Sequence, residues 1–165
     1  MVMINDNAKE KHLREYFKRC FFAVDGLWFV VMEKESGFEK ALEFDRKVWE
    51  VMPKIQARKI RELLGLKNDT PEDLCKALEF KFQAEDYKYQ IINLTDKTLE
   101  IEVTGCPWLK IMRESGRQNL AAEVGKVICP VEYCTWAKEF KMGFEDGIRS
   151  LLCSDDGSCA LHFTA

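Results

Sequence analysis

Histidine is almost missing from this chain: two in 165 residues, His12 and His162. With so few, and with no G-x-S-x-G elbow to present a serine, the machinery of a serine hydrolase is not there. Glycine is thin as well, and the nine present are scattered, so no glycine-rich dinucleotide fingerprint can be assembled. Long apolar runs are lacking. The greasiest stretch, Cys20 to Met32, is interrupted by Asp25-Gly26 and is too short to span a bilayer. The opening segment is charged from Asp6 onward and has no apolar core of the secretory kind, which predicts a cytoplasmic protein. Excess positive charge is also absent. A net charge of −3 gives no electrostatic case for nucleic acid or an anionic membrane as partner. There is no repeat, low-complexity segment or long linker.

What is present is a globular composition, 47% apolar and 32% charged, with enough chain to bury one core. The expectation is a single domain over 1–165. Cysteine is the anomaly. A reducing compartment disfavours disulfides, so seven thiols is a high count, and an odd number argues against complete pairing. Metal is the natural rival explanation.

The first half reads as helix. Leu13, Tyr16, Phe17, Cys20, Phe21, Val24, Leu27, Trp28 and Val31 follow the ladder of one helix face. Around Phe22 and Phe29-Val30 the apolar surface spreads past a single stripe, which suits a subunit interface or a central helix. A second helix is predicted from Phe38 to Leu64, capped by Gly65 and kinked or split at Pro53. Its Lys54, Arg58 and Arg61 form a basic stripe, read as a solvated face or as a contact for a partner. A third opens at Thr70-Pro71, with Thr70 as N-cap and Asp73 at the capping-box position.

The period then changes. Leu99, Ile101 and Val103 alternate with Glu100 and Glu102 after a turn at Thr95-Asp96-Lys97, which predicts a β-hairpin with one wet face. Helices are expected to resume at Pro107 and at Pro130, the last carrying Tyr133, Trp136, Ala137, Phe140 and Phe144 and fading at Gly147. A terminal hairpin follows, Leu151 to Phe163, turning at Asp155-Asp156-Gly157. Helices first, with an antiparallel sheet of two hairpins, is an α+β fold.

The thiols sort themselves by position. Cys106-Pro107 and Cys129-Pro130 place each cysteine as an N-cap, where helix amides and dipole favour the thiolate that binds metal. In the last strand Cys159 shares a face with Leu161 and Phe163, whereas His162 points away from them. The turn after Cys153 can bring its thiol toward the same centre. Cys129 lies one turn before Tyr133 on the inward stripe, while Cys134 sits about 100° round from Tyr133. Cys106, Cys129, Cys153 and Cys159 are therefore the candidate four-thiolate set, with Cys134 in reserve and Cys20 and Cys75 as core thiols. Four sulfurs at roughly 2.3 Å would form a closed tetrahedral zinc site. Free or oxidised thiols and an iron–sulfur cluster are the alternatives.

The run Cys153…Gly157…Cys159-Ala160-Leu161-His162-Phe163 resembles the C-terminus of the 4-vinyl reductase domain. "GFEKALEFD", "GCPW" and "ICPVEYCTWAKEF" are similar to proteins grouped with L-2-amino-thiazoline-4-carboxylic acid hydrolase. Here Asp156-Gly157 stands where that ending commonly has a glycine-first turn. The resemblance implies the fold shared by haem nitric-oxide sensors and transport-particle subunits, with an apolar pocket, a cysteine-bound zinc and frequent dimerisation.

Two kinds of function follow. One is a dimeric module binding a small hydrophobic or aromatic ligand, with Trp28, Trp108, Trp136 and Phe140 as pocket walls and Arg113 and Arg117, four apart, as a carboxylate clamp. The other is an enzyme, a hydrolase of a thiazoline-like ring or a vinyl reductase acting on a tetrapyrrole. A cysteine hydrolase could draw on Cys129 or Cys134 with Glu132 as its acidic partner.

Overall fold

The structure is a computed structural model that describes residues 6–144, 148–154 and 156–165. It is α+β, with helices preceding a three-stranded antiparallel sheet. The chain divides into two compact units, residues 1–41 and 42–165. No helix among the described residues is long and apolar enough to cross a membrane.

The first unit is essentially one helix, α1 (Asp6–Ser36), with the start of α2 (Phe38–Trp49) beyond Gly37. Gly37 takes φ +85°, a left-handed turn that a side chain would resist, and it ends one helix where the next begins. The predicted Phe38–Leu64 helix splits as Pro53 demands: α2 stops at Trp49 and α3 (Met52–Leu64) carries the proline in its first turn. Gly65, at φ 64°, closes α3 in the left-handed conformation expected of it.

Helix α4 (Pro71–Ala84) starts as its sequence signals, with the Thr70 hydroxyl accepting from the Asp73 amide at 3.2 Å. Strands β1 (Lys88–Leu94) and β2 (Thr98–Gly105) form the predicted hairpin. Leu99, Ile101 and Val103 are buried on one face while Glu100 and Glu102 remain partly exposed on the other. The alternation thus places the sheet on the core, which also contains Leu74, Leu78, Phe82, Trp136 and Phe140.

Beyond β2 the structure departs from the sequence reading. Helix α5 (Pro107–Glu114) begins after Cys106 as expected. It then stops, because Gly116 at φ 71° reverses the chain. Helix α6 (Gln118–Glu139) runs uninterrupted through Pro130, so Cys129 is an interior residue and not an N-cap. Proline costs that helix one i→i−4 bond, and burial of Ile128, Tyr133 and Trp136 on either side of it offsets the loss. The helix ends at Glu139. Gly147, where it was expected to fade, lies outside the described residues, as does Asp155.

The terminal hairpin is only half there. Its second arm is β3 (Cys159–Thr164), antiparallel to β2 with Val103 opposite Cys159, Ile101 opposite Leu161 and Leu99 opposite Phe163. Its first arm is a 3₁₀ turn, Leu152–Ser154, held by the Leu151 amide donating to Asp156 at 2.8 Å. The sheet order is β1-β2-β3.

Candidate metal centre and the buried charges beside it

Cys106 follows β2 and is the N-cap of α5. Cys129 sits about three turns into α6, Cys153 in the 3₁₀ turn, and Cys159 at the first position of β3. The 3₁₀ turn packs against both α6 and β2. The Cys159 sulfur accepts the Leu152 amide at 3.1 Å, which anchors that turn to the strand. A Cβ placed on Gly125 would stand 2.4 Å from the Cys153 sulfur and 3.8 Å from that of Cys129. The two sulfurs therefore lie no farther apart than those distances combined. Glycine is what lets Cys153 reach the helix backbone.

A charge on any one of these four thiols is felt by each of the other three. The four thiols are thus electrostatic neighbours, and Cys153 and Cys129 are the two brought close at Gly125. Cys134, half-buried one residue beyond Tyr133, does not enter into those interactions. Cys75 is a core thiol as expected, 4% exposed, and burial pushes it up to about 11.

The electrostatic expectation for these thiols is overturned. Burial pushes Cys106 up to about 11, against the lowering effect of the Leu109 and Trp108 amides at the start of α5, and no capping hydrogen bond is completed. Burial raises Cys129 well above the ordinary thiol range, and Glu132 adds to it. Desolvation outweighs the helix terminus for Cys106, and Cys129 has no terminus to draw on. Among the described residues no three His, Cys, Asp or Glu side chains stand ready-made as a metal cage. In type and number four thiols suit a soft cation, and Gly125 makes room for two of them, Cys153 and Cys129.

Next to the thiols is a feature the sequence reading did not find. Lys81, 1% exposed, stands 2.9 Å from Glu132 Oε1 and 3.1 Å from Glu85 Oε2. The Lys81–Glu132 contact is off hydrogen-bond geometry and leaves that carboxylate oxygen without a hydrogen-bond partner among the described residues. The ammonium also lies 4.6 Å from the centre of the Tyr87 ring. Burial alone would lower the Lys81 pKa, but Glu132 and Glu85 overcome it and hold the amine above its usual range. Glu85 is raised by burial against the pull of Lys81. Burial also lifts the Tyr87 and Tyr133 phenols, and the Glu132 and Cys106 charges reach both. The one cue in sequence was a lysine beside Phe82 and one turn from Ala77 and Leu78, all of them buried.

The expected ligand residues do not converge in the same way. Trp136 and Phe140 are fully buried in the core, and Arg61 stacks 4.6 Å over the Phe140 ring. Trp108 packs edge-on to Trp49 at 5.7 Å. Arg113 and Arg117 do not share a helix: Arg113 is exposed in the last turn of α5, and Arg117 is the N-cap of α6 beyond the Gly116 reversal. The four-residue spacing read as a clamp is broken by that glycine. The basic stripe is occupied internally, with Arg58 donating to Glu139 and Arg61 to both Asp69 and the Glu139 carbonyl. His162 lies off the thiol face as expected, opposite Glu100 and 3.1 Å from Arg149.

A family profile described as a family of unknown function, DUF6125, matches residues 6–165. The chain belongs to the DUF6125 family. No curated protein and no solved structure matches it. The DUF6125 match takes in all four clustered cysteines, Lys81 and Glu132.

Proposed function

We propose that this chain is a small-molecule-binding module, cytoplasmic and homodimeric, whose fold is stapled by a zinc ion on Cys106, Cys129, Cys153 and Cys159. The observation that carries the reading is the meeting of four thiols from α5, α6, the 3₁₀ turn and β3, each within electrostatic reach of the rest. A cation closed in by four thiolates leaves no position for water, so its contribution is structural. The ligand is a small hydrophobic or aromatic compound with an acceptor group. What supports this is the Trp136 indole N–H, buried on the same α6 face as Cys129 and without a hydrogen-bond partner among the described residues. The resemblance of the Cys153–Phe163 run to the end of the 4-vinyl reductase domain points the same way.

Native mass spectrometry of anaerobically purified protein tests all three parts: one zinc per chain, a dimer mass and a co-purifying small molecule are expected. Folded protein free of metal would end the zinc reading.

A second reading, an enzyme opening a thiazoline-like ring or reducing a vinyl tetrapyrrole, is favoured by the Lys81–Glu132 pair one turn from Cys129. Turnover of an aminothiazoline carboxylate by the purified chain would establish it, and zinc-loaded protein without turnover would remove the hydrolase.

A further inference from the structure

Helix α1, 31 residues, is the longest helix among the described residues, and its own unit otherwise includes the first residues of α2. One line of positions along it is spaced alternately three and four apart: Glu10, Leu13, Phe17, Cys20, Val24, Leu27, Val31 and Lys34. That is the a/d seam of a heptad repeat, which a supercoiled partner helix covers without drift. Of its apolar members, Leu13, Phe17, Val24, Leu27 and Val31 are 47–68% exposed. Such a stripe on a single helix is an unfilled interface.

The ends of the seam say what fills it. An acidic residue, Glu10, closes one end and a basic residue, Lys34, the other. A second copy laid parallel would set Glu10 on Glu10 and Lys34 on Lys34. Laid antiparallel, with Leu13 level with Val31 and Cys20 with Val24, it sets Glu10 against Lys34 at both ends. The wider charge pattern agrees. Residues 6–19 carry five basic and three acidic side chains, whereas 25–36 carry three acidic and one basic. The arrangement is self-complementary about a two-fold axis near Phe22, as a C₂ interface must be.

We infer that α1 is the dimerisation element, pairing antiparallel with α1 of a second copy along the Glu10–Lys34 seam. This rests on the dimer reading above and assigns its surface and orientation. The seam spans about 36 Å at 1.5 Å per residue, a length typical of short stable coiled coils.

Sedimentation of the full chain, with circular dichroism to confirm folding, tests it. Wild type is expected as a dimer and Val24→Glu/Leu27→Glu as a folded monomer. Glu10→Lys and Lys34→Glu each weaken the dimer, by roughly tenfold, and the double reversal recovers it. Both charged positions are exposed, so these variants do not threaten the fold. A wild type that is monomeric at every concentration overturns the dimer and this inference together. A dimer that survives Val24→Glu/Leu27→Glu overturns the surface alone. Single reversals without effect, or a double reversal that fails to recover, overturn the antiparallel orientation.

Discussion

The sulfur of Cys153 lies where the side chain of residue 125 would begin: a Cβ there would meet it at 2.4 Å. Alanine in place of a helical glycine ordinarily stabilises by about 1 kcal/mol. At Gly125 the sign reverses. Gly125→Ala is expected to lower the melting temperature and the zinc content, because either the 3₁₀ turn or α6 must shift. Cys153→Ala removes the clash, so the two changes together should cost less than the sum of each alone, and a thermal double-mutant cycle checks it.

Lys81 is the buried cation on which two carboxylates depend. Lys81→Met leaves Glu85 and Glu132 inside without their counter-charge and is expected to cost about 3–5 kcal/mol in urea unfolding. Glu85→Gln and Glu132→Gln added to it should recover a large part of that loss. A loss under 1 kcal/mol for Lys81→Met alone would show that the pair is not buried in solution.

The two arginines of α3 should differ sharply. Arg58 meets Glu139 at the surface, and Arg58→Ala is expected to leave stability nearly unchanged. Arg61 joins Asp69, the Glu139 carbonyl and the Phe140 ring, so Arg61→Ala is expected to cost about 1–3 kcal/mol. Chemical denaturation of both variants measures the difference.

Cys75 gives a pH dependence whose sign is fixed. Its folded thiol titrates at about 11, above an unfolded cysteine near 8.5. A raised pKa means that the folded state keeps the proton longer, so its stability is whole below pH 8 and is lost as pH climbs toward 11. Cys75→Ala should lose stability less steeply over that window, measured as unfolding free energy at pH 8, 9.5 and 11.

Each of Cys106, Cys129, Cys153 and Cys159 changed to serine should reduce zinc content, and Cys134→Ser should leave it unchanged. Elemental analysis of the five variants separates the chosen set from the reserve.

The elements most legible in sequence are those governed by local rules. The Leu99–Ile101–Val103 alternation, the Thr70 cap and the Gly65 stop depend on neighbours a few residues away, and all are found. The errors come where a tertiary gain overrides a local preference. Proline at 130 looks like a helix start, but the packing of Ile128 and Tyr133 carries α6 through it, and the break falls at Gly116 instead. Leu151–Cys153 reads as a strand, yet the side chain of Asp156 and the sulfur of Cys159 each take an amide from that segment, and the backbone coils. Helix and strand phase pointed to Cys129 and Cys159, and Cys106 and Cys153 were chosen from a helix start and a turn. Lys81 and Glu132 were not, since nothing in a linear pattern tells a buried ion pair from two solvated charges.

The way β3 joins the sheet also sets an order of events in time. Ser158 meets Glu102 across 56 positions of chain, whereas β1 and β2 meet across one tight turn. Closing so wide an excursion is slow relative to forming a hairpin or a helix. Cys153 and Cys159 are therefore expected to reach their places late in folding. Zinc in a refolding buffer should leave the early kinetic phases untouched and quicken or lock only the final one.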